Sequence, residues 1–186
     1  RYSPVWHDPQ GALSFLKQDL AAHVGASGRP VVLISHCGFD TDWWTKDDIA
    51  NFQKLQDALA TQYDAFCPFD DGKTCVNGRL TMGENIGDLG GLSLAYRAYK
   101  LSLGGKPAPV IDGFTGPQRF FLGWAQMWRR KYRDDELRMR LLTDPHSPSE
   151  YRANGVLVNM PEFQAAFGLK EGDGLHRKPE EGIKIW

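Results

Sequence analysis

"TMGENIGDLGGLSLAYRAYK", residues 81–100, reads as one long helix carrying Glu84 and Asp88 four residues apart, on one face. Its interior also holds two adjacent glycines, Gly90 and Gly91, each of which weakens a helix by about 1 kcal/mol relative to alanine. Such a pair is expected where another backbone, helix or ligand comes close. A helix packed tightly there would bury the Glu84/Asp88 face, and buried acids need a metal or a partner. A second reading of Glu84 stands beside this one. Thr81-x-x-Glu84 has the spacing of a capping box, in which the glutamate serves the Thr81 backbone N–H and Asp88 is a solvated acid.

Working outward, the spacing of Ile49, Phe52, Leu59, Tyr63 and Phe66 predicts a helix that starts after Thr45 as N-cap, with Asp48 three residues on, and ends at Pro68. Residues 67–80 are polar and turn-rich. Gly116-Pro117 opens a further helix whose inner face is marked by Phe120, Trp124, Met127, Trp128 and Lys131. "RDDELRMRLL" is a short amphipathic helix, "TDPHSPSEY" a loop, "GVLVNM" a short strand, and "PEFQAAFG" a last helix between Pro161 and Gly168. Upstream, Leu13, Leu16, Leu20 and Val24 form a helical stripe, and "RPVVLIS" is a buried strand that delivers His36 to its end. The fold class expected is mainly α (α+β), a short helix–strand unit over residues 1–42 followed by a helical region over 43–186.

The 186 residues suffice for one domain with a sizeable core, and a net charge of −1 leaves no basic surplus for nucleic acid or anionic lipid. No apolar run approaches the roughly 20 residues needed to span a bilayer. Aromatic residues at 12 %, including six Trp, suit a filled core or a peptide cleft equally. With Arg1 in place of Met and no leader sequence, the chain reads as a fragment or a mature domain of something longer. Cys37, Cys67 and Cys75 form no C-x-x-C pair. Cys67 and Cys75 bracket a turn-rich loop, and both a disulfide and two half-buried thiols remain open.

"VNGRLTMGENIGDLGGLSLAYRAYK", together with "DGFTGPQRFFLGWAQMWRRKYRDDELRMRLLTDPHSPSEYRANGVLVNMPEFQAAFG" and the terminal "IKIW", closely resembles the C-terminal part of the catalytic domain of neprilysin-like zinc metallopeptidases. The resemblance covers about residues 43–186. It implies that Glu84 is a zinc ligand and that Asp88 is the carboxylate holding a zinc-binding histidine by its far ring nitrogen. By the same resemblance His146 stabilises the tetrahedral oxyanion and Arg152 contacts a substrate backbone carbonyl. It implies one zinc ion as cofactor, a peptide substrate, and an extracytoplasmic setting with any signal or anchor in a missing upstream segment.

The chemistry of that family requires H-E-x-x-H, two histidines that bind zinc and a glutamate that activates water. None of His7, His23, His36, His146 and His176 begins such a motif. "SHCGFDTDWWT" keeps only the residues that follow it in the family, with Cys37 between His36 and Gly38, and the family's Asn-Ala-x-Tyr strand is absent. Residues 1–42 are open to two readings: a divergent stretch of the same family, with His36 a relic of its second zinc histidine, or a segment similar to the late part of calcineurin-like metallophosphoesterases, in which His36 would be a metal ligand. Three functions follow as expectations. The first is the C-terminal portion of a zinc metalloendopeptidase, inactive as an isolated chain and completed by a missing N-terminal half. The others are a metallophosphoesterase fragment and a non-catalytic peptide-binding remnant.

Overall fold

The computed structural model describes Gln18, Ala21, Ala22, residues 45–69 and residues 72–185. The chain divides into two compact units, Arg1–Thr41 and Asp42–Trp186. In the first, Gln18, Ala21 and Ala22 are helical and exposed, at positions inside the predicted N-terminal helix. The predicted strand of residues 29–35, His36 and Cys37 lie outside the described residues.

The second unit is built from α1 (Lys46–Asp64), α2 (Met82–Ser102), α3 (Gly116–Met127), α4 (Asp134–Thr143), α5 (Ser149–Leu157) and α6 (Pro161–Phe167), with a 3-10 turn at Pro179–Glu181. Among the described residues there is no strand; Ile111 and Phe114 form an isolated antiparallel bridge. No helix among these residues is long and apolar enough to cross a membrane.

α1 begins as its sequence predicts. Thr45 Oγ1 accepts from the Asp48 N–H at 3.1 Å, and the Asp48 carboxylate accepts from the Thr45 N–H at 3.1 Å. Its inner face buries Leu59, Ala60 and Tyr63 against α2 and α5. α2 also packs on α5, and α3 packs on α6. The core they enclose contains Leu59, Tyr63, Leu89, Leu92, Phe121, Val156, Leu157 and Phe163. Ring stacking extends it: Phe66 lies on Tyr151 at 4.6 Å and Tyr96 on Phe121 at 5.1 Å. Burial pushes the Tyr63 hydroxyl well above the usual phenol range, and that hydroxyl donates to the Tyr151 carbonyl at 3.4 Å.

Two expectations are corrected here. "GVLVNM" is no strand: α5 runs from Ser149 to Leu157, and the chain leaves it by turn bonds from Asn159 N–H to Val156 O and from Met160 N–H to Leu157 O. Val156 and Leu157 are both buried, and a short apolar run cannot by its spacing distinguish a buried strand from the buried end of a helix. On α3, Met127 is 63 % exposed and Lys131 lies beyond the helix end, also exposed. Phe120 and Trp124 face inward as expected, together with the buried Phe121. The closing helix keeps its predicted bounds, with Pro161 in the first turn and Gly168 in the left-handed conformation at φ 63°.

Cys67 and Cys75 form a disulfide, which closes the loop between α1 and α2. For a loop of this length the chain-entropy model gives about 2.5 kcal/mol of stabilisation. The double substitution Cys67→Ser/Cys75→Ser is expected to lower the free energy of unfolding by about that amount, measured by urea denaturation under non-reducing conditions. A change below about 0.5 kcal/mol would show that the bonds from Gly78 N–H to Asp64 Oδ1 and from the Arg79 and Leu80 N–H groups to Asn77 Oδ1 hold the α1–α2 connection without the bridge.

Candidate functional site

The sequence offers Thr81 as the cap of α2, but its side chain makes no capping bond. Thr81 has φ −92° and ψ 5°, in the bridge region that closes a turn, because the preceding residues already form one. Asn77 builds that turn: its Oδ1 accepts from the N–H groups of Arg79 and Leu80, and its carbonyl accepts from the Thr81 N–H and hydroxyl. Glu84 is thereby released from the capping role and stands on the first turn, half-exposed.

Asp88, one turn on, is not a solvated acid. Its side chain is 10 % exposed, and both its oxygens are held by one guanidinium. Arg152 Nε donates to Oδ2 at 2.6 Å and Nη2 donates to Oδ1 at 2.7 Å, a bidentate fork. The same Nη2 reaches Glu84 Oε2 at 3.2 Å, and the guanidinium lies 4.3 Å over the Trp128 ring. Burial raises the Asp88 carboxyl above its usual range, Arg152 opposes that, and Glu84 adds to it. Arg152 is itself kept protonated by Asp88 against the effect of burial. Its Nη1 makes no bond to a described residue, which leaves a donor for a ligand.

His146 comes to the same place from the loop between α4 and α5. Its Nε2 lies 3.4 Å from Glu84 Oε2, and its Nδ1 lies 2.7 Å from Asp144 Oδ1. That oxygen also accepts from the His146 backbone N–H at 2.9 Å, while Arg140 Nη1 donates to the other carboxylate oxygen at 2.5 Å. Burial pushes the Asp144 carboxyl up, but the bonds from His146 and the charge of Arg140 outweigh it and hold the group below its usual range. Asp144 therefore stays ionised and fixes the ring it faces.

A buried cross-link sets α2 against this loop. Ser147 Oγ donates to Asn85 Oδ1 at 2.8 Å, and Asn85 Nδ2 donates to Thr81 Oγ1 at 2.9 Å, with all three side chains almost fully buried. Asn85 adjoins Glu84 and Ser147 adjoins His146, so each of those two groups is held in place by its chain neighbour.

The structure thus brings together all four residues singled out in the sequence: Glu84, Asp88, His146 and Arg152. The partner of Asp88 among the described residues is Arg152, not a histidine. Sequence reasoning missed Asp144, Asn85, Ser147 and Trp128 as parts of the site. For Asp144 a signal existed, since an aspartate two residues before a loop residue commonly accepts that residue's N–H. The glycines are half explained: Gly90 is buried, whereas Gly91 is exposed and a β-carbon there would meet nothing within 4 Å.

Comparison with known proteins extends the picture. The model of peptidase family M13 matches residues 33–183. Neprilysin-1 of Caenorhabditis elegans is 37 % identical over 150 residues, which are 78 % of this chain and 20 % of that protein. Neprilysin of Homo sapiens is 37 % identical over 149 residues, with the same coverage. Among solved structures, the zinc metalloprotease Zmp1 of Mycobacterium tuberculosis in complex with an inhibitor is 52 % identical over 78 % of this chain and 23 % of its own, with a TM-score of 0.76. The chain spans about a fifth of the length of these curated relatives.

Proposed function

The chain belongs to peptidase family M13, and from that premise we propose that it is the C-terminal portion of a zinc-dependent metalloendopeptidase acting on peptides. The observation that carries this reading is the convergence of Glu84, Asp88, His146 and Arg152, drawn from two helices and a loop and linked by contacts of 3.4 Å or less. In this reading Glu84 is a zinc ligand and Asp88 orients the groups around it. His146, half-exposed and held by Asp144, stabilises the oxyanion that develops on the cleaved carbonyl. Arg152 offers its remaining donor to a substrate carbonyl.

A catalytic zinc normally has three protein ligands and an open position. Among the described residues there is no group of three His, Cys, Asp or Glu side chains that could hold a metal ion. These residues by themselves therefore do not make a zinc centre, and the H-E-x-x-H pair that would complete it is not in the sequence. The parent enzyme supplies zinc-activated water when that pair is present; this chain supplies one ligand and the groups that bind the substrate. The Cys67–Cys75 disulfide supports an oxidising, extracytoplasmic location.

Calorimetric titration of zinc into the chain and into Glu84→Ala, with hydrolysis of a short peptide read alongside, tests the reading. The expected result is no turnover by the 186-residue chain and loss in Glu84→Ala of whatever zinc the chain takes up. Zinc binding indifferent to Glu84 would remove that residue from the site. Chelator-sensitive cleavage by the chain alone would show that it completes a centre by itself. Peptide binding that ignores zinc altogether would favour the non-catalytic remnant.

A further inference from the structure

A cleft of about 220 Å³ opens beside His146 and Arg152, walled by Trp128 on one side and lined by Arg130, Tyr132, Arg140 and Asp144. At roughly 30 Å³ per water in the liquid, it has space for about seven waters, enough for one side chain and its hydration. Its polar lining is unbalanced. Among the described residues Asp144 is the one carboxylate in that lining, and both of its oxygens are already occupied, by His146 and by Arg140. Three guanidinium groups face it, and each keeps donors in reserve. Arg152 uses Nε and Nη2 on Asp88 and Glu84, and Arg140 uses Nε and Nη1 on Glu136 and Asp144.

Arg130 differs from the other two. It is exposed and has no carboxylate partner among the described residues; its guanidinium carbon lies 5.9 Å from the centre of the Tyr132 ring. A lining with spare guanidinium donors, a single carboxylate that is already partnered and one uncommitted cation is complementary to an acceptor-only, planar anion, and a carboxylate matches the guanidinium fork. The Trp128 wall suits the methylenes that would carry it.

We propose that this cleft selects peptides that present a carboxylate next to the bond contacted by His146 and Arg152, and that Arg130 is the residue that determines this specificity. The proposal rests on the peptide-binding reading above. The carboxylate comes either from an acidic side chain or from the C-terminus of the peptide, and both present the same chemistry to Arg130.

The test uses the 186-residue chain and three short peptides: one blocked at both ends with a glutamate, the same peptide with glutamine, and the glutamine peptide with a free C-terminal carboxylate. Binding is read by NMR from the Trp128 indole N–H. The glutamate peptide is expected to bind about tenfold more tightly than its blocked glutamine counterpart, the worth of one charge-assisted hydrogen bond. Arg130→Gln should abolish that preference and Arg130→Lys should keep part of it, with the urea unfolding midpoint unchanged in both. A preference confined to the free C-terminus would also support the cleft, and would assign it to chain ends. Equal binding of all three peptides, or a preference that survives in Arg130→Gln, would overturn the proposal while leaving the peptidase reading intact. Absence of binding by every peptide, with the dispersed amide NMR spectrum of a folded chain, would overturn the peptide cleft itself and this inference with it.

Discussion

Replacing Arg152 with alanine is expected to lower the free energy of unfolding by about 3–5 kcal/mol, the usual consequence of removing one partner from a buried ion pair. The side chains of Arg152 and Asp88 are 16 % and 10 % exposed, so solvent screens the pair little. The substitution strands the Asp88 carboxylate in that site with Glu84 one turn away and removes the cation stacked on Trp128. The pH dependence should separate this cause from a simple loss of packing. In the variant, burial and Glu84 both raise the Asp88 carboxyl and no guanidinium opposes them. A raised carboxyl binds its proton more tightly folded than unfolded. The variant is therefore least impaired below the unfolded carboxyl value, near 4, and its deficit widens as pH rises through the folded value. Denaturant unfolding of both proteins between pH 3 and 8 measures this. A loss under 1 kcal/mol that ignores pH would mean that Asp88 is solvated. The double variant Arg152→Met/Asp88→Leu, which removes both charges, should recover most of the loss.

That pair also shows which parts of the site are legible in the sequence. Glu84 and Asp88 are marked by their spacing and by the glycines beside them, and the family resemblance supplies roles for His146 and Arg152. Nothing in local spacing can join Asp88 to Arg152, because they are 64 residues apart and meet only when α5 packs on α2. Capping at Thr45 is readable because it is settled within four residues by side-chain-to-backbone bonds. The same pattern at Thr81 misleads, since Asn77 has already satisfied the turn and Asn85 claims the threonine hydroxyl. The apolar end of α5 fails for a different reason: Val156 and Leu157 are buried by tertiary contacts, and burial removes the alternation that tells helix from strand. The cysteine loop lies between two readings until backbone geometry brings the sulfurs together.

Gly78 carries the second large expectation, because it connects the stability of the loop to the position of the helix that bears Glu84. The chain between α1 and α2 folds back onto α1 through Val76 N–H on the Phe66 carbonyl at 2.9 Å and Gly78 N–H on Asp64 Oδ1 at 2.7 Å. Arg79 adds an ion pair to Asp57. These bonds draw Gly78 so close to α1 that a β-carbon there would lie 2.8 Å from Ala60 Cα and 2.9 Å from its carbonyl carbon, and closer still to the oxygen. All three atoms belong to the helix backbone, which cannot swing aside as a side chain can. Gly78→Ala should therefore destabilise the protein by about 3 kcal/mol, at the upper end of overpacking substitutions. Relief requires the loop to lift from α1, and the Asn77 turn and Thr81 lift with it, so Glu84 moves relative to His146. The expected readout is a lowered unfolding midpoint in urea together with shifted NMR resonances of the His146 imidazole, which faces Glu84, in the folded fraction. A matched control is Gly91→Ala, at an exposed helical position where a β-carbon meets nothing within 4 Å; there alanine should stabilise α2 by a few tenths to about 1 kcal/mol. If Gly78→Ala proved as harmless as that control, the loop would not be seated on α1, and the register of Glu84 would have to come from Asn85 and Ser147 alone.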